Sequence, residues 1–276
     1  MMPSNRRDFD TELNTAAEIL RNANRIAVFT GAGVSAESGI PTFRDADGLW
    51  ARFPPEQFAR WSRLEELFWH DPARVAEFVV ALIQPILEAQ PNPAHKAIAE
   101  LEELGKDVRV ITQNIDGLHQ RAGSSKVIEL HGSIFQLRHD DRAGVRISEL
   151  STEDLASVVQ GLEKLLHTPG ATRTEFLLAA TKLIGMTADG TYRPNLVLFG
   201  DLLPSEAWDQ AVAAVTDCDC LLIVGTSQLV YPAAGLPDIA REHGAKIVAV
   251  GFDVCDCDVW LHGRSGVLLP KLVSVV

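Results

Sequence analysis

The sequence predicts a doubly wound α/β fold, a mostly parallel sheet covered on both faces by helices, with a smaller inserted, mainly helical lobe. Three observations predict it. Short apolar runs rich in β-branched residues recur along the chain, amphipathic helical stretches alternate with them, and glycines stand directly after the first run. Strands of a parallel sheet are buried on both faces, so they read as continuous apolar runs rather than alternating ones. At 276 residues, with roughly 150 per domain as a prior, the chain amounts to about two domains or one large α/β unit.

The elements follow in order. Leu13, Ala16, Ala17, Leu20 and Ala23 fall at helical spacing across 9–23, and residues 26–29 then read as a buried strand. Further strand-length runs are 108–111, 127–130, 196–199, 221–224 and 247–250, and helical stretches between them are 74–87, 94–104, 205–215 and 233–243. Two segments break this rhythm. The first, 47–90, mixes aromatic and charged residues, with Trp50, Trp61 and Trp69 to pack it. The second, 134–193, opens with polar residues around His139, Asp140 and Asp141 and then offers two helices, near 152–166 and 174–184, around the turn Thr168-Pro169-Gly170. These insertions are expected to form the lobe, leaving 1–46, 91–133 and 194–276 as the main domain.

Composition bounds the partners. Hydrophobic residues at 46% and charged ones at 22% indicate a folded chain. Lys and Arg number 25 against 37 Asp and Glu, a net charge of −12 whose field repels polyanions, so neither nucleic acid nor an anionic membrane is expected as a partner. No apolar run approaches the ~20 residues that span a bilayer. The first residues also lack the apolar stretch of a signal peptide, so a cytoplasmic location is expected.

The four cysteines form two Cys-Asp-Cys triplets, Cys218 with Cys220 and Cys255 with Cys257. Four thiols invite a zinc site, but one residue between ligands is tighter than the roughly two to four usual for zinc. If the runs 221–224 and 247–250 are neighbouring parallel strands, the triplets also lie at opposite ends of the sheet, about 15 Å apart at ~3.3 Å per residue. Reduced thiols without a metal are expected.

The first strand runs straight into Thr30-Gly31-Ala32-Gly33-Val34-Ser35-Ala36-Glu37-Ser38-Gly39-Ile40-Pro41-Thr42-Phe43-Arg44-Asp45. Glycines at this place let the backbone turn sharply and approach a phosphate without a Cβ clash, and the helix start that follows offers unpaired N–H groups. Their spacing departs from the usual Gly-x-Gly-x-x-Gly, and no Gly-Lys-Ser/Thr follows, which disfavours a nucleoside triphosphatase. On the glycines alone, an ordinary tight turn and a dinucleotide site are both open.

The whole string is more specific. It resembles the signature of the sirtuins, Gly-Ala-Gly-x-Ser-x-x-Ser-Gly-Ile-Pro-x-Phe-Arg. The resemblance continues in order through Thr112-Gln113-Asn114-Ile115-Asp116-Gly117-Leu118-His119, Glu129-Leu130-His131-Gly132-Ser133, Phe199-Gly200-Asp201, Gly225-Thr226-Ser227 and Val230-Tyr231-Pro232. It implies a Rossmann-like fold and an NAD-dependent protein deacylase. In the reaction so implied, the bond between nicotinamide and ribose breaks as the acyl oxygen of a modified lysine attacks the ribose carbon. A base then deprotonates a ribose hydroxyl, which attacks the former acyl carbon, and water releases free lysine and acylated ADP-ribose.

The resemblance also implies roles. The catalytic residues are His131, as the base, and Asn114. NAD contacts Gly31, Ala32, Gly33, Ser35 and Glu37 in the first loop, and Phe43 and Arg44 in the segment that covers the cofactor. Further contacts come from Gln113, Asn114, Ile115 and Asp116, from Gly225, Thr226 and Ser227, and from Gly251, Phe252 and Asp253. The last group fits less well, because the family usually places Asn near that strand end. An acyl-lysine protein or peptide would add its backbone as a strand between 198–201 and 229–231, at Phe199, Gly200, Val230 and Tyr231.

Independent chemistry supports the base. An imidazole with an unperturbed pKa of roughly 6.5 keeps a useful neutral fraction, and His131 follows an apolar run, so it should emerge at the carboxyl edge of a strand, where open α/β sheets bind ligands. His119 reads as a helix residue near the site and His95 as part of a helix start, while Asn114-x-Asp116 also fits a plain helix cap.

Two departures qualify the resemblance. Sirtuins hold zinc with four cysteines in the interval that is 134–193 here, and this interval contains none. Its helices are expected to bury Leu155, Val158, Leu162, Leu165, Phe176, Leu177 and Leu183 in place of a metal. Sirtuins selective for acidic acyl groups carry a Tyr and an Arg three residues apart, and 78–84 has neither, so apolar or short acyl groups are expected. Cleavage of NAD by ADP-ribosyl transfer or hydrolysis, and a non-catalytic NAD or ADP-ribose sensor, are the competing functions. The oligomeric state is not legible.

Overall fold

The computed structural model describes residues 4–142, 144–253 and 255–276, with backbone alone for 4–8. The chain divides into two compact units, one of 1–38, 90–130 and 203–276 and the other of 39–89 and 131–202. Among the described residues the strands are β1 (Arg25–Thr30), β2 (Asp107–Thr112), β3 (Val127–Glu129), β4 (Gly132–Asp141), β5 (Gly144–Glu149), β6 (Gly185–Met186), β7 (Gly190–Leu196), β8 (Cys220–Val224), β9 (Lys246–Gly251) and β10 (Val259–His262).

The first unit holds a six-stranded sheet in the order β10-β9-β8-β1-β2-β3, with every pairing parallel. Period-two alternation sends Ile26, Val28, Val108, Val110, Leu222 and Val224 to one face, against the helices Ser4–Asn22, Pro93–Glu103 and Ser265–Val273. The opposite face carries Ala27, Phe29, Ile111, Leu221, Ile223 and Ile247, covered by the helices Ser205–Asp217 and Leu236–Glu242. Both faces are dry, which is why the runs were apolar throughout. The order turns back on itself between β1 and β8, and such switch points open a crevice at the carboxyl ends of the strands.

The second unit departs from the sequence reading. It is helix-rich, with Trp61–His70, Pro72–Glu88, Thr152–Leu166 and Arg173–Ala179, but it also contains a four-stranded antiparallel sheet in the order β5-β4-β7-β6 that the reading of 134–193 did not anticipate. The run 196–199 is not a strand of the parallel sheet; its first residue ends β7 in this antiparallel one. Leu155, Val158, Leu162, Phe176 and Leu183 are buried as expected, whereas Leu177 is 44% exposed. A separate aromatic core forms where Phe53, Phe58 and Phe78 meet with ring centroids 5.0–5.4 Å apart.

No helix among the described residues is long and apolar enough to cross a membrane. All four cysteines are free thiols. Burial pushes the Cys218 thiol up to about 11 and raises that of Cys220 further, while burial and the neighbouring Cys255 push Cys257 up to about 12.

Candidate functional site

The carboxyl ends of β1 and β8 are laced together through glycine. The Gly31 N–H donates to the Val224 carbonyl (3.3 Å), Gly33 to Gly225 (2.9 Å) and Gly225 to Val250 (3.1 Å). A Cβ on Gly33 would stand 2.8 Å from the Gly225 oxygen, and one on Gly31 would stand 2.8 Å from Thr226 Cβ. Gly225 has φ +57, and a side chain there would strike the backbone of Gly33 and Val34. The two loops therefore approach as bare backbone. Beside them Gly225, Thr226, Gln228, Gly251, Asp253 and Cys255 line a shallow depression. This cradle of backbone at a switch point suits the pyrophosphate and adenosine of a dinucleotide.

A buried polar cluster stands beside the glycines. Thr30 and Thr112 end β1 and β2, and the Thr30 hydroxyl donates to Thr112 Oγ1 (2.9 Å), which also accepts the Asn114 N–H (3.0 Å). Asn114 Nδ2 donates to the Gly31 carbonyl (3.1 Å) and to Ser35 Oγ (3.0 Å). Ser35 in turn donates to Asp116 Oδ2 (2.7 Å), and Asp116 Oδ1 accepts the N–H of Leu118 (2.9 Å), the first residue of the helix Leu118–Ala122. The N-cap position of the helix is taken by Gly117, and Asp116 is buried within this cluster. Burial raises its carboxyl pKa, opposed by these hydrogen bonds.

Tautomers follow from the same geometry. His95 Nδ1 accepts the Asn92 N–H (3.3 Å) in a capping box, so its proton sits on Nε2, which faces Ser35 Oγ at 3.4 Å. Because Thr30 spends its proton on Thr112, His119 Nε2 donates to Thr30 Oγ1 (3.0 Å), leaving Nδ1 with no hydrogen-bond partner among the described residues. The two rings meet edge to face at 4.9 Å. Burial holds His95 down to about 4, and burial with the neighbouring His95 holds His119 down to about 3. Both imidazoles are therefore neutral near pH 7. Thr30, Thr112 and Gln228 were missed in the sequence, although a threonine closing an apolar strand is a legible mark of the carboxyl edge.

Other expected residues lie outside this cluster. Gln113 Nε2 donates to Thr226 Oγ1 (2.7 Å), tying the loops after β2 and β8. The Glu37 carboxylate accepts the Gly266 N–H (2.7 Å) at the start of the last helix. Ala32, at the start of the short helix Ala32–Ser35, is half-buried, as are Ile115 after β2 and Ser227 after β8. Phe252 is 62% exposed and meets His262 edge-on. Val230 is half-buried and Tyr231 exposed in the loop after β8.

In the second unit, His131 is half-buried, and its carbonyl accepts the Val197 N–H (3.0 Å). Phe43 packs on Trp50 at 5.1 Å, Trp50 lies 6.4 Å from Phe199, and Arg44 and Gly200 are exposed.

Zinc does not fit this donor set. The interval that should supply four thiolates has none, and among the described residues no three His, Cys, Asp or Glu side chains are grouped to hold a metal.

The family model described as "Sir2 family" matches residues 31–232. A protein of Pyrobaculum aerophilum named NAD-dependent protein deacylase 2 is 41% identical over 94% of this chain and 94% of its own. A solved structure concerned with the mechanism and regulation of Sir2 enzymes superposes with a TM-score of 0.74 at 39% identity, covering 96% of this chain and 98% of that one. Another, of a Sir2 protein bound to a myristoylated histone peptide, gives 0.67 at 34% identity over 96% of each chain.

Proposed function

The chain belongs to the Sir2 family, and from that premise we propose how its residues carry out NAD-dependent protein deacylation. The observation that carries the reading is the glycine cradle of Gly31, Gly33 and Gly225, where any side chain would fill the space between the loops. NAD, when bound, supplies the ribose carbon that receives the acyl group as nicotinamide leaves. Gly31, Ala32, Gly33, Ser35, Gln113, Thr226 and Ser227 hold it, with Gly251, Phe252 and Asp253 toward the adenosine.

Asn114 is oriented by Gly31 and Ser35, so its amide is fixed before any ligand arrives, which avoids the entropy of ordering it later. The His131 imidazole takes a ribose hydroxyl proton. Phe43, packed against Trp50, keeps water from the reacting carbon and favours transfer over hydrolysis.

The substrate is an acyl-lysine segment of a protein, read through its backbone along Phe199 and Gly200, and the enzyme works in the cytoplasm. The acyl group is short or apolar. Within 78–84 of the helix Pro72–Glu88 there is no cation, and Arg74 is committed to Glu77 (2.6 Å) and to the Arg52 carbonyl (2.7 Å). A succinyl carboxylate would lack a counter-charge, so acetyl-lysine peptide should be turned over faster than succinyl-lysine peptide. The His131→Ala variant tests the base: NAD-dependent lysine release is lost while NAD binding by calorimetry persists. Deacylation surviving in this variant would overturn the assignment.

A further inference from the structure

Two guanidinium groups flank the dipeptide Gly200-Asp201 in the second unit. The Phe199 N–H donates to the Ala59 carbonyl (2.8 Å), which brings residue 60 alongside residue 200. Arg60 Nη1 lies 2.9 Å from where a Cβ on Gly200 would sit, and Gly200 has φ +96, so glycine leaves that space to the guanidinium. Arg60 is exposed, and its side chain has no hydrogen-bond or ion-pair partner among the described residues.

Arg193 lies over the Trp61 ring at 4.5 Å, and its buried Nη1 has no hydrogen-bond partner among the described residues. The Asp201 carboxylate stands 4.0 Å away, beyond hydrogen-bond reach, and its Oδ2 already accepts Trp61 Nε1 (3.1 Å) and the Leu198 N–H (3.0 Å). Arg138 is neutralised by its own contacts with Asp140. A buried guanidinium donor without an acceptor calls for one. Two cations against one committed carboxylate make this a locally positive spot on a chain of net charge −12.

We propose that Arg60 and Arg193 form a carboxylate-selecting subsite, which takes an Asp or Glu side chain flanking the acylated lysine of the substrate. The inference rests on the reading that the peptide pairs along Phe199-Gly200. Strand addition alone reads backbone and is nearly blind to sequence; the two guanidiniums add a side-chain criterion and reject Lys or Arg at the same position.

The test is a set of acetyl-lysine peptides carrying Asp, Ala or Lys at each flanking position in turn, assayed for nicotinamide and free lysine. At one position Asp exceeds Ala by about three- to tenfold in kcat/KM, through KM, and the gain shrinks as salt is raised. In Arg60→Glu the ranking reverses to favour Lys, and in Arg60→Lys the Asp preference is partly kept. Equal turnover of the three peptides at every position, or an unchanged ranking in Arg60→Glu, overturns the subsite and leaves the deacylase reading standing. If no peptide is deacylated, that reading fails, and the ranking of the same peptides by fluorescence-polarisation Kd then decides the subsite: Asp favoured supports it, and a flat ranking overturns it.

Discussion

At the residue scale, Gly225 is the most exacting position. Its φ of +57 disfavours any β-carbon by about 1–2 kcal/mol, and the contact with Gly33 and Val34 adds a clash. Gly225→Ala should lower both the melting temperature and NAD affinity; wild-type values for both would contradict the cradle. The histidine pair makes a second prediction. His95 titrates at about 4 and His119 at about 3, against 6.5 unperturbed, so the unfolded chain binds more protons across that interval. Stability is therefore complete above pH 6.5 and falls as pH drops toward 4, with His95 accounting for about 3 kcal/mol at the lower end. Asp116, raised by burial, acts in the opposite sense and loses stability as pH rises through its titration. Urea titrations at pH 7 and pH 4 should show a wide gap in the wild type and a narrower one in His95→Gln. An equal gap would show that His95 is not held neutral.

At the element scale, apolar packing holds the helices of the lobe. Leu155, Val158, Val159 and Leu162 bury one face of the helix Thr152–Leu166, and a change such as Leu155→Ala should cost about 2–5 kcal/mol. Dialysis against a chelator should leave the melting temperature and turnover unchanged; a fall in either, restored by zinc, would contradict this. The helices were legible because their apolar periodicity is strong. The antiparallel sheet was not. β5 reads Gly-Val-Arg-Ile-Ser-Glu and is almost wholly exposed, so burial never filtered its composition, and β4 carries charges along its second half. β10 escaped for a different reason, since four residues after a Cys-Asp run are too few for a periodic signal.

At the scale of the whole molecule, the net charge of −12 should speed encounter with lysine-rich protein segments. KM for a basic acetylated peptide should therefore rise with ionic strength more steeply than for a neutral one, and identical salt dependence would deny the charge any role. The parallel sheet was readable from its apolar runs and the glycine loop from its place after β1. The network of Thr30, Thr112, His95 and His119 was not, because these partners lie 82 to 89 residues apart across β1 and its neighbours or 60 apart through Ser35, distances that only the folded sheet closes.

NAD cleavage should be coupled to acyl transfer, and a mass-spectrometric tally of products tests this most directly. With NAD and an acetylated peptide, each turnover should yield one nicotinamide, one free lysine and one acetylated ADP-ribose. Nicotinamide released with free ADP-ribose or ADP-ribosylated protein, and no free lysine, would contradict it.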